Sequence, residues 1–213
     1  MATRAYGQYC GLGRALEILG ERWGLLIVRD LLVAPKRFTD LQRGLPGIPS
    51  NVLTSRLKEL EGAGVVRRRL LPRPAGSIVY DLTAYGAELE DAVIRLGRWG
   101  AKSLGEPRED EIVTPDSMVM ALRSTFRPEL AHGVTAGYEL RVGDVAVHAR
   151  VRGGSVEVGT GSLPGADLVI EAGPAIRAVM AGEITPREAI ANGQVRIAGK
   201  RRLFDEFARI FRI

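Results

Sequence analysis

The stretch from Pro35 to Leu82 constrains the fold of this chain more than any other segment. Its apolar spacing predicts two short helices joined by a turn, and its β-branched runs predict a basic hairpin. The helices cover 38–43 and 50–60, the turn 45–49, the strands 65–70 and 78–82, and the hairpin turn 71–77. This order is typical of a winged helix-turn-helix, in which one helix enters the DNA major groove.

Positive charge is concentrated in the same segment. Residues 36–73 carry nine Lys or Arg and three Asp or Glu, a net charge of +6, whereas the whole chain carries +5. Residues 1–105 have a net charge of +6 and residues 106–213 a net charge of −1. A basic excess confined to one segment indicates a polyanionic partner, and double-stranded DNA suits the predicted fold.

The helix from Ser50 carries the residues expected to read DNA bases. Leu53, Leu57 and Leu60 share one face, so the short polar and cationic side chains between them point outward. Whether Pro49 or Ser50 caps this helix stays open. The residues predicted to contact DNA are Lys36, Arg37, Thr39, Ser50, Asn51, Thr54, Ser55, Arg56, Lys58, Arg67, Arg69 and Arg73. The alternatives are a merely solvated helix face and an edge strand protected by charge.

Two further helices offer apolar stripes. Leu12, Ala15, Leu16 and Leu19 share one face of an N-terminal helix. Thr83 is placed to cap a second helix in which Leu89, Val93, Leu96 and Gly100 recur. These stripes favour a homodimer, which would read a pseudo-palindrome, over packing of the two helices within one chain.

The N-terminal half resembles the HxlR family of bacterial winged-helix transcriptional regulators. The matching pieces are Cys10, residues 15–23, 37–41, 45–48, 53–61 and 80–83, and Trp99-Gly100. The resemblance implies a homodimer that represses or activates promoters, with the helix from Ser50 as the recognition helix.

Cys10 stands where some members of that family sense oxidants or electrophiles. Here Gly11-Leu12 follows the cysteine, where the family often has a proline. Arg14, four residues on, could supply the positive charge that activates a thiolate. A buried and inert cysteine is the alternative.

A charged segment at 105–111 predicts a boundary between a DNA-binding and dimerisation domain, 1–105, and a second domain, 106–213. No apolar run is long enough to span a membrane, and a lone cysteine is typical of a cytoplasmic protein. The sequence shows no nucleophile–base pair, phosphate-binding glycine loop or metal-ligand cluster. We therefore expect no enzymatic activity, no cofactor and no metal.

The sequence of the second domain predicts an α+β fold in which helices cover one antiparallel sheet. Strands are expected at 138–142, 145–151, 156–158, 166–172 and 195–198, with helices from Pro115, over 174–181, from Thr185 and around 203–211. Gly143-Asp144 is a two-residue hairpin signal, and Thr185-Pro186-Arg187-Glu188 is a capping box.

The order from Asp167 to Phe211 resembles the sterol carrier protein, a lipid-transfer fold. The resemblance implies an apolar cavity for a hydrophobic small molecule between sheet and helices. Its candidate lining residues are Val179, Met180, Phe204, Phe207 and Phe211. They could instead fill the core, and the domain could serve only for dimerisation. A second function class is a hydrophobic-ligand carrier whose winged helix contacts proteins.

Overall fold

The computed structural model describes residues 5–72 and 76–213. The chain divides into two compact units, Met1–Val93 and Ile94–Ile213. This division falls earlier than the charged segment that predicts a boundary at 105. Whether 1–105 and 106–213 are the domains that fold independently stays a prediction.

The first unit contains the predicted helix-turn-helix and hairpin. Its elements are α1 (Gly11–Leu19), α2 (Gly24–Val33), α3 (Phe38–Gly44), α4 (Ser50–Gly62), β1 (Val66–Leu70), β2 (Ile78–Leu82), α5 (Ala84–Ala87) and α6 (Glu90–Ala101), inside which the division falls. One core of aliphatic side chains from α2, α3, α4 and β1 holds them together. Ile27, Val28, Leu41 and Leu53 are completely buried in it.

Backbone hydrogen bonds fix the base of the hairpin. Val65 N donates to Leu60 O, over 2.9 Å, which joins the hairpin to the end of α4. Lys36 and Tyr80 exchange two backbone hydrogen bonds of 3.0 and 2.7 Å, so Lys36 adds a short third strand segment beside β2. The sequence pattern did not predict this bridge, because one residue pair carries no periodicity.

The prediction of a single helix after Thr83 is wrong, because the chain forms two helices there. Thr83 does cap α5, where its hydroxyl accepts a hydrogen bond from Gly86 N, but α5 ends at Ala87 and α6 begins at Glu90. At Gly86 a Cβ atom would lie 2.1 Å from Val65 O, so only glycine fits. Glycine is a weak helix former, which helps to end α5 early.

The second unit has the predicted strands and helices. They are α7 (Pro115–Thr125), β3 (Thr135–Val142), β4 (Val145–Arg152), β5 (Ser155–Thr160), β6 (Leu168–Ala172), α8 (Ala175–Ala181), α9 (Pro186–Ala191), β7 (Val195–Gly199) and α10 (Arg201–Ile210). The capping box at Thr185 and Glu188 is confirmed, and Gly182 ends α8 in the left-handed conformation with φ of 75°. In the described part of the chain, no helix is both long and apolar enough to cross a membrane.

The sheet is mixed, so the prediction of an antiparallel sheet is wrong at its centre. The strand order is β5-β4-β3-β6-β7, and β3 and β6 run parallel, with Tyr138 opposite Leu168. The segment 161–167 brings the chain from β5 across to the far side of β3 instead of turning back in a hairpin. Apolar spacing locates a strand but does not indicate its direction, which is why the sequence reading missed this crossover.

A buried carboxylate holds the crossover against the sheet. Glu139 on β3 is only 2% exposed. Its Oε2 accepts a hydrogen bond from Leu163 N at 2.7 Å, and its Oε1 accepts one from Arg141 Nε at 2.6 Å. Burial by itself would raise the pKa of Glu139, but these hydrogen bonds and the Arg141 charge outweigh it and lower the pKa below its ordinary value.

We expect Glu139→Gln to lower the free energy of unfolding by about 1–3 kcal/mol at neutral pH, because the amide loses the charge-assisted contact with Arg141. The depressed pKa means that the wild-type contribution is complete above the ordinary carboxyl pKa and is lost as pH falls through the folded value. Denaturant titrations from about pH 6 to about pH 3 should therefore show a smaller loss of stability in the variant. Equal pH dependence in both proteins would contradict this role.

Candidate nucleic-acid interface

Helix α4 presents its polar face outward as predicted. Leu53, Leu57 and Leu60 are at most 2% exposed, whereas Asn51, Thr54 and Lys58 are exposed. The helix begins at Ser50 with Pro49 in the N-cap position, and no side chain caps it. The backbone N–H groups of that first turn, which no side chain caps, add a positive end to the helix.

Three of the polar side chains on α4 are engaged within the protein. Thr54 Oγ1 donates to Ser50 O over 2.8 Å, and Ser55 Oγ donates to Glu59 Oε1 over 3.1 Å. Arg56 is half-buried and pairs with Glu59 at 2.5 Å and with Glu21 at 3.9 Å. Thr54 stays exposed and can still accept a hydrogen bond, but Arg56 must leave its carboxylates before it can reach a phosphate.

The start of α3 contributes two further exposed side chains. Arg37 and Thr39 are exposed, while Lys36 is half-buried beside its bridge to Tyr80. Arg37 N donates to Asp40 Oδ2 over 3.1 Å, which fixes the first turn of α3. Arg37 and Thr39 are thus accessible, and their contact with DNA stays a prediction.

The hairpin formed by β1 and β2, here called the wing, brings basic side chains beside α4. Arg67 and Arg69 both lie within 3.4 Å of Asp81 Oδ2. On the other face of β1, Arg68 Nε pairs with Glu61 Oε1 of α4 at 3.1 Å. Arg73, also predicted to contact DNA, lies outside the described residues. The wing is therefore basic, but carboxylates meet each of these three arginines.

Cys10 is exposed, so the buried alternative is wrong. Its Sγ accepts a hydrogen bond from Gly13 N at 3.2 Å and caps α1. The predicted partner, Arg14, instead pairs with Glu17 at 2.7 Å. A hydrogen bond from Tyr6 N and then the Arg14 contact hold the pKa of Glu17 below its ordinary value. The thiol is thus accessible, and it lies at the positive N-terminal end of α1.

The five predicted ligand-lining residues lie together in the second unit. Val179, Met180, Phe204, Phe207 and Phe211 are all buried. Phe207 packs on Phe211 with ring centroids 4.7 Å apart and on Tyr138 at 5.5 Å. Burial first, and Glu206 second, raise the pKa of Tyr138, whose hydroxyl donates to Glu206 Oε1 at 3.1 Å. These contacts are those of a filled aromatic core.

An open recess lies at the edge of that core. It has a volume of about 320 Å³, and Val179 is the one predicted lining residue that reaches it. Its other apolar walls come from Ile184, Pro186 and Ala208, while Asp205, Arg209 and Arg212 supply charge. Among the residues that the structure describes, no group of three or more His, Cys, Asp or Glu is placed to hold a metal ion.

Comparison with known proteins identifies the N-terminal half. The family model described as HxlR-like helix-turn-helix matches residues 18–108. The HTH-type transcriptional regulator YvaP of Bacillus subtilis is 38% identical over 89 residues, which are 42% of this chain and 82% of YvaP. YodB, an HTH-type transcriptional regulator of the same organism, is 36% identical over 85 residues, covering 40% of this chain and 76% of YodB.

A solved structure was also matched. The reduced form of YodB is 31% identical, with a TM-score of 0.40, and the match covers 47% of this chain and all of that one. The match to the family model, over residues 18–108, spans the helix-turn-helix, the wing and the helices that follow. This chain belongs to the HxlR-like helix-turn-helix family.

Proposed function

We propose that the protein is a sequence-specific DNA-binding transcription regulator that acts as a homodimer on a pseudo-palindromic promoter site. One observation carries the proposal: the leucine face of α4 is buried, so that Asn51, Thr54 and Lys58 point outward next to a basic wing. Membership of a family of transcription regulators supports the same function.

The side chains suggest how affinity and specificity divide. Asparagine is suited to bind adenine through two hydrogen bonds, and lysine to contact the acceptor groups of guanine in the major groove. Arg37, the wing and the N-terminus of α4 would contact phosphates, which position the protein without reading sequence. Asn51 and Lys58 are therefore the expected base-reading residues.

The prediction for DNA binding uses Asn51→Ala and Lys58→Ala. Each variant should lose about 1–3 kcal/mol of discrimination between an operator and unrelated DNA, because one base contact is removed. Fluorescence anisotropy with labelled DNA from upstream of the protein's own gene, with unrelated competitor DNA, measures this loss. Lys102→Ala removes the same charge as Lys58→Ala, at an exposed site outside the proposed interface, and should have little effect. Wild-type protein that binds no duplex at low salt would refute the proposal.

Exposed apolar side chains support the homodimer. On α1, Leu12 is 72% exposed and Leu16 is 42% exposed, whereas Leu19 is buried in the core of the first unit. Among the described residues, the first two leucines of this stripe are therefore left largely uncovered. On α6, Leu96 and Trp99 are also exposed. Isolated exposed leucines are common, but a stripe of them on a helix is typical of a surface that a second copy covers.

We expect Leu12→Glu to produce a monomer, because a charge in an apolar interface must be desolvated without a partner. Sedimentation of the wild-type protein should give twice the mass of the variant, and the variant should bind operator DNA more weakly. Ile112→Glu places the same charge on an exposed apolar residue outside both helices and serves as the control. A wild-type protein that sediments as a monomer would contradict the homodimer.

Control of DNA binding through Cys10 is a separate part of the proposal. Its support is the exposed thiol at the N-terminus of α1. Because each chain has one cysteine, diamide would oxidise the thiols of two copies to a disulfide and would itself be reduced to the hydrazine. We expect diamide or a quinone to change the DNA affinity of the wild type but not of Cys10→Ser. The same response in both proteins would exclude Cys10 as the sensor.

The last part of the proposal is that the second unit binds a hydrophobic small molecule. Such a ligand would regulate DNA binding only if its affinity differs between two conformations of the dimer. The recess beside Val179 is the feature that supports it, since the phenylalanines already fill the core. Titration of the full chain with a fluorescent fatty acid tests this idea, and absence of saturable uptake would refute it.

A further inference from the structure

One carboxylate on the wing meets two arginines. Asp81 Oδ2 lies 3.4 Å from Arg67 Nη2 and 3.2 Å from Arg69 Nε. The Asp81 side chain is 19% exposed, whereas those of Arg67 and Arg69 are 58% and 44% exposed. The carboxylate therefore lies beneath two guanidinium groups that reach toward solvent.

The strand register of the hairpin produces this arrangement. Asp81 on β2 is directly opposite Arg67 on β1, and Arg69 follows two residues later on the same face. Directly opposite and diagonal side chains on one face of an antiparallel pair are within reach of each other. The contact thus follows from backbone pairing and does not require an unusual side-chain conformation.

The carboxylate opposes the interaction of these arginines with DNA. Two guanidinium groups and one carboxylate carry a net charge of +1. A phosphate that approaches this face of the wing therefore meets half of the positive charge that the two arginines alone would carry. An exposed ion pair is weak, so phosphates can compete for the guanidinium groups, but the negative charge remains beside them. Affinity that comes from phosphate contacts is independent of sequence. When the affinity from phosphate contacts is lower, base contacts from α4 supply a larger share of the binding free energy.

We propose that Asp81 is a specificity-determining residue that restrains Arg67 and Arg69 and keeps the affinity for non-specific DNA low. This inference rests on the proposed function, because it assumes that the wing faces DNA. It assigns a role in DNA recognition to a negatively charged residue on an otherwise basic surface. Asp81 lowers the affinity for random DNA, where phosphate contacts supply nearly all of the binding. At an operator, base contacts from α4 fix the position of the wing, so the same carboxylate lowers the affinity by a smaller factor.

The experiment compares full-length wild type and Asp81→Asn on a random duplex and on DNA from upstream of the gene, across a range of salt concentrations. We expect Asp81→Asn to bind the random duplex about five- to tenfold more tightly near 0.1 M salt and to steepen the log–log salt slope by about one unit. The ratio of upstream to random affinity should fall. Asp144→Asn, in the β3–β4 turn, changes the net charge equally and should leave binding unchanged.

A double-mutant cycle tests whether the gain in DNA affinity depends on the two arginines. Arg67→Gln/Arg69→Gln should weaken binding more in the Asp81→Asn background than in the wild type, because Asp81 no longer offsets their charge. Thermal unfolding checks that each variant is folded, and the cycle still tests the arginines if Asp81→Asn is less stable.

The outcomes separate the inference from the proposed function. If the wild type binds DNA but Asp81→Asn binds random DNA equally or more weakly, the inference is overturned and the proposed function stands. If Asp144→Asn gives the same gain, net charge alone explains it, and the inference is again overturned. If neither protein binds any duplex at the lowest salt, both the proposed function and the inference fail.

Discussion

Burial of the leucine stripe on α4 determines which residues of that helix face outward. Leu53, Leu57 and Leu60 are at most 2% exposed, and truncating one buried leucine typically costs about 2–5 kcal/mol. The exposed ion pairs around the same helix are worth about 0–1 kcal/mol each. The leucines, not the ion pairs, therefore set the rotation of α4 about its axis, and the candidate base-reading face depends on them.

Periodicity predicted the elements that a one-sided apolar pattern defines. The helix from Ser50, the hairpin strands and the exposed position of Asn51 and Lys58 are as the sequence indicates. In the second unit, the turn at Gly143-Asp144 and the capping box at Thr185 were found because each depends on neighbouring residues only. Local signals of this kind do not need the tertiary structure to be interpreted.

Features that depend on pairing between distant residues were missed. The charge count over 36–73 stops short of Asp81, which meets Arg67 and Arg69 only once the hairpin register is known. Similarly, the sequence predicts that five apolar residues line a cavity, whereas in the structure Phe207 and Phe211 pack against each other. Which apolar residues fill space and which surround it is decided by three-dimensional packing, not by hydropathy.

The parallel pairing of β3 with β6 also has a consequence for the order of folding. Strands β3, β4 and β5 follow one another through short turns, so their contacts close small loops. Leu168 pairs with Tyr138 across the whole of that meander, which makes the β3–β6 contact much less local. Because closing longer loops costs more chain entropy, the meander should form first and receive β6 and β7 afterwards. The folding rate of the second unit would then depend on how fast the crossover segment packs against the sheet, and the contact of Glu139 with that segment would complete the step.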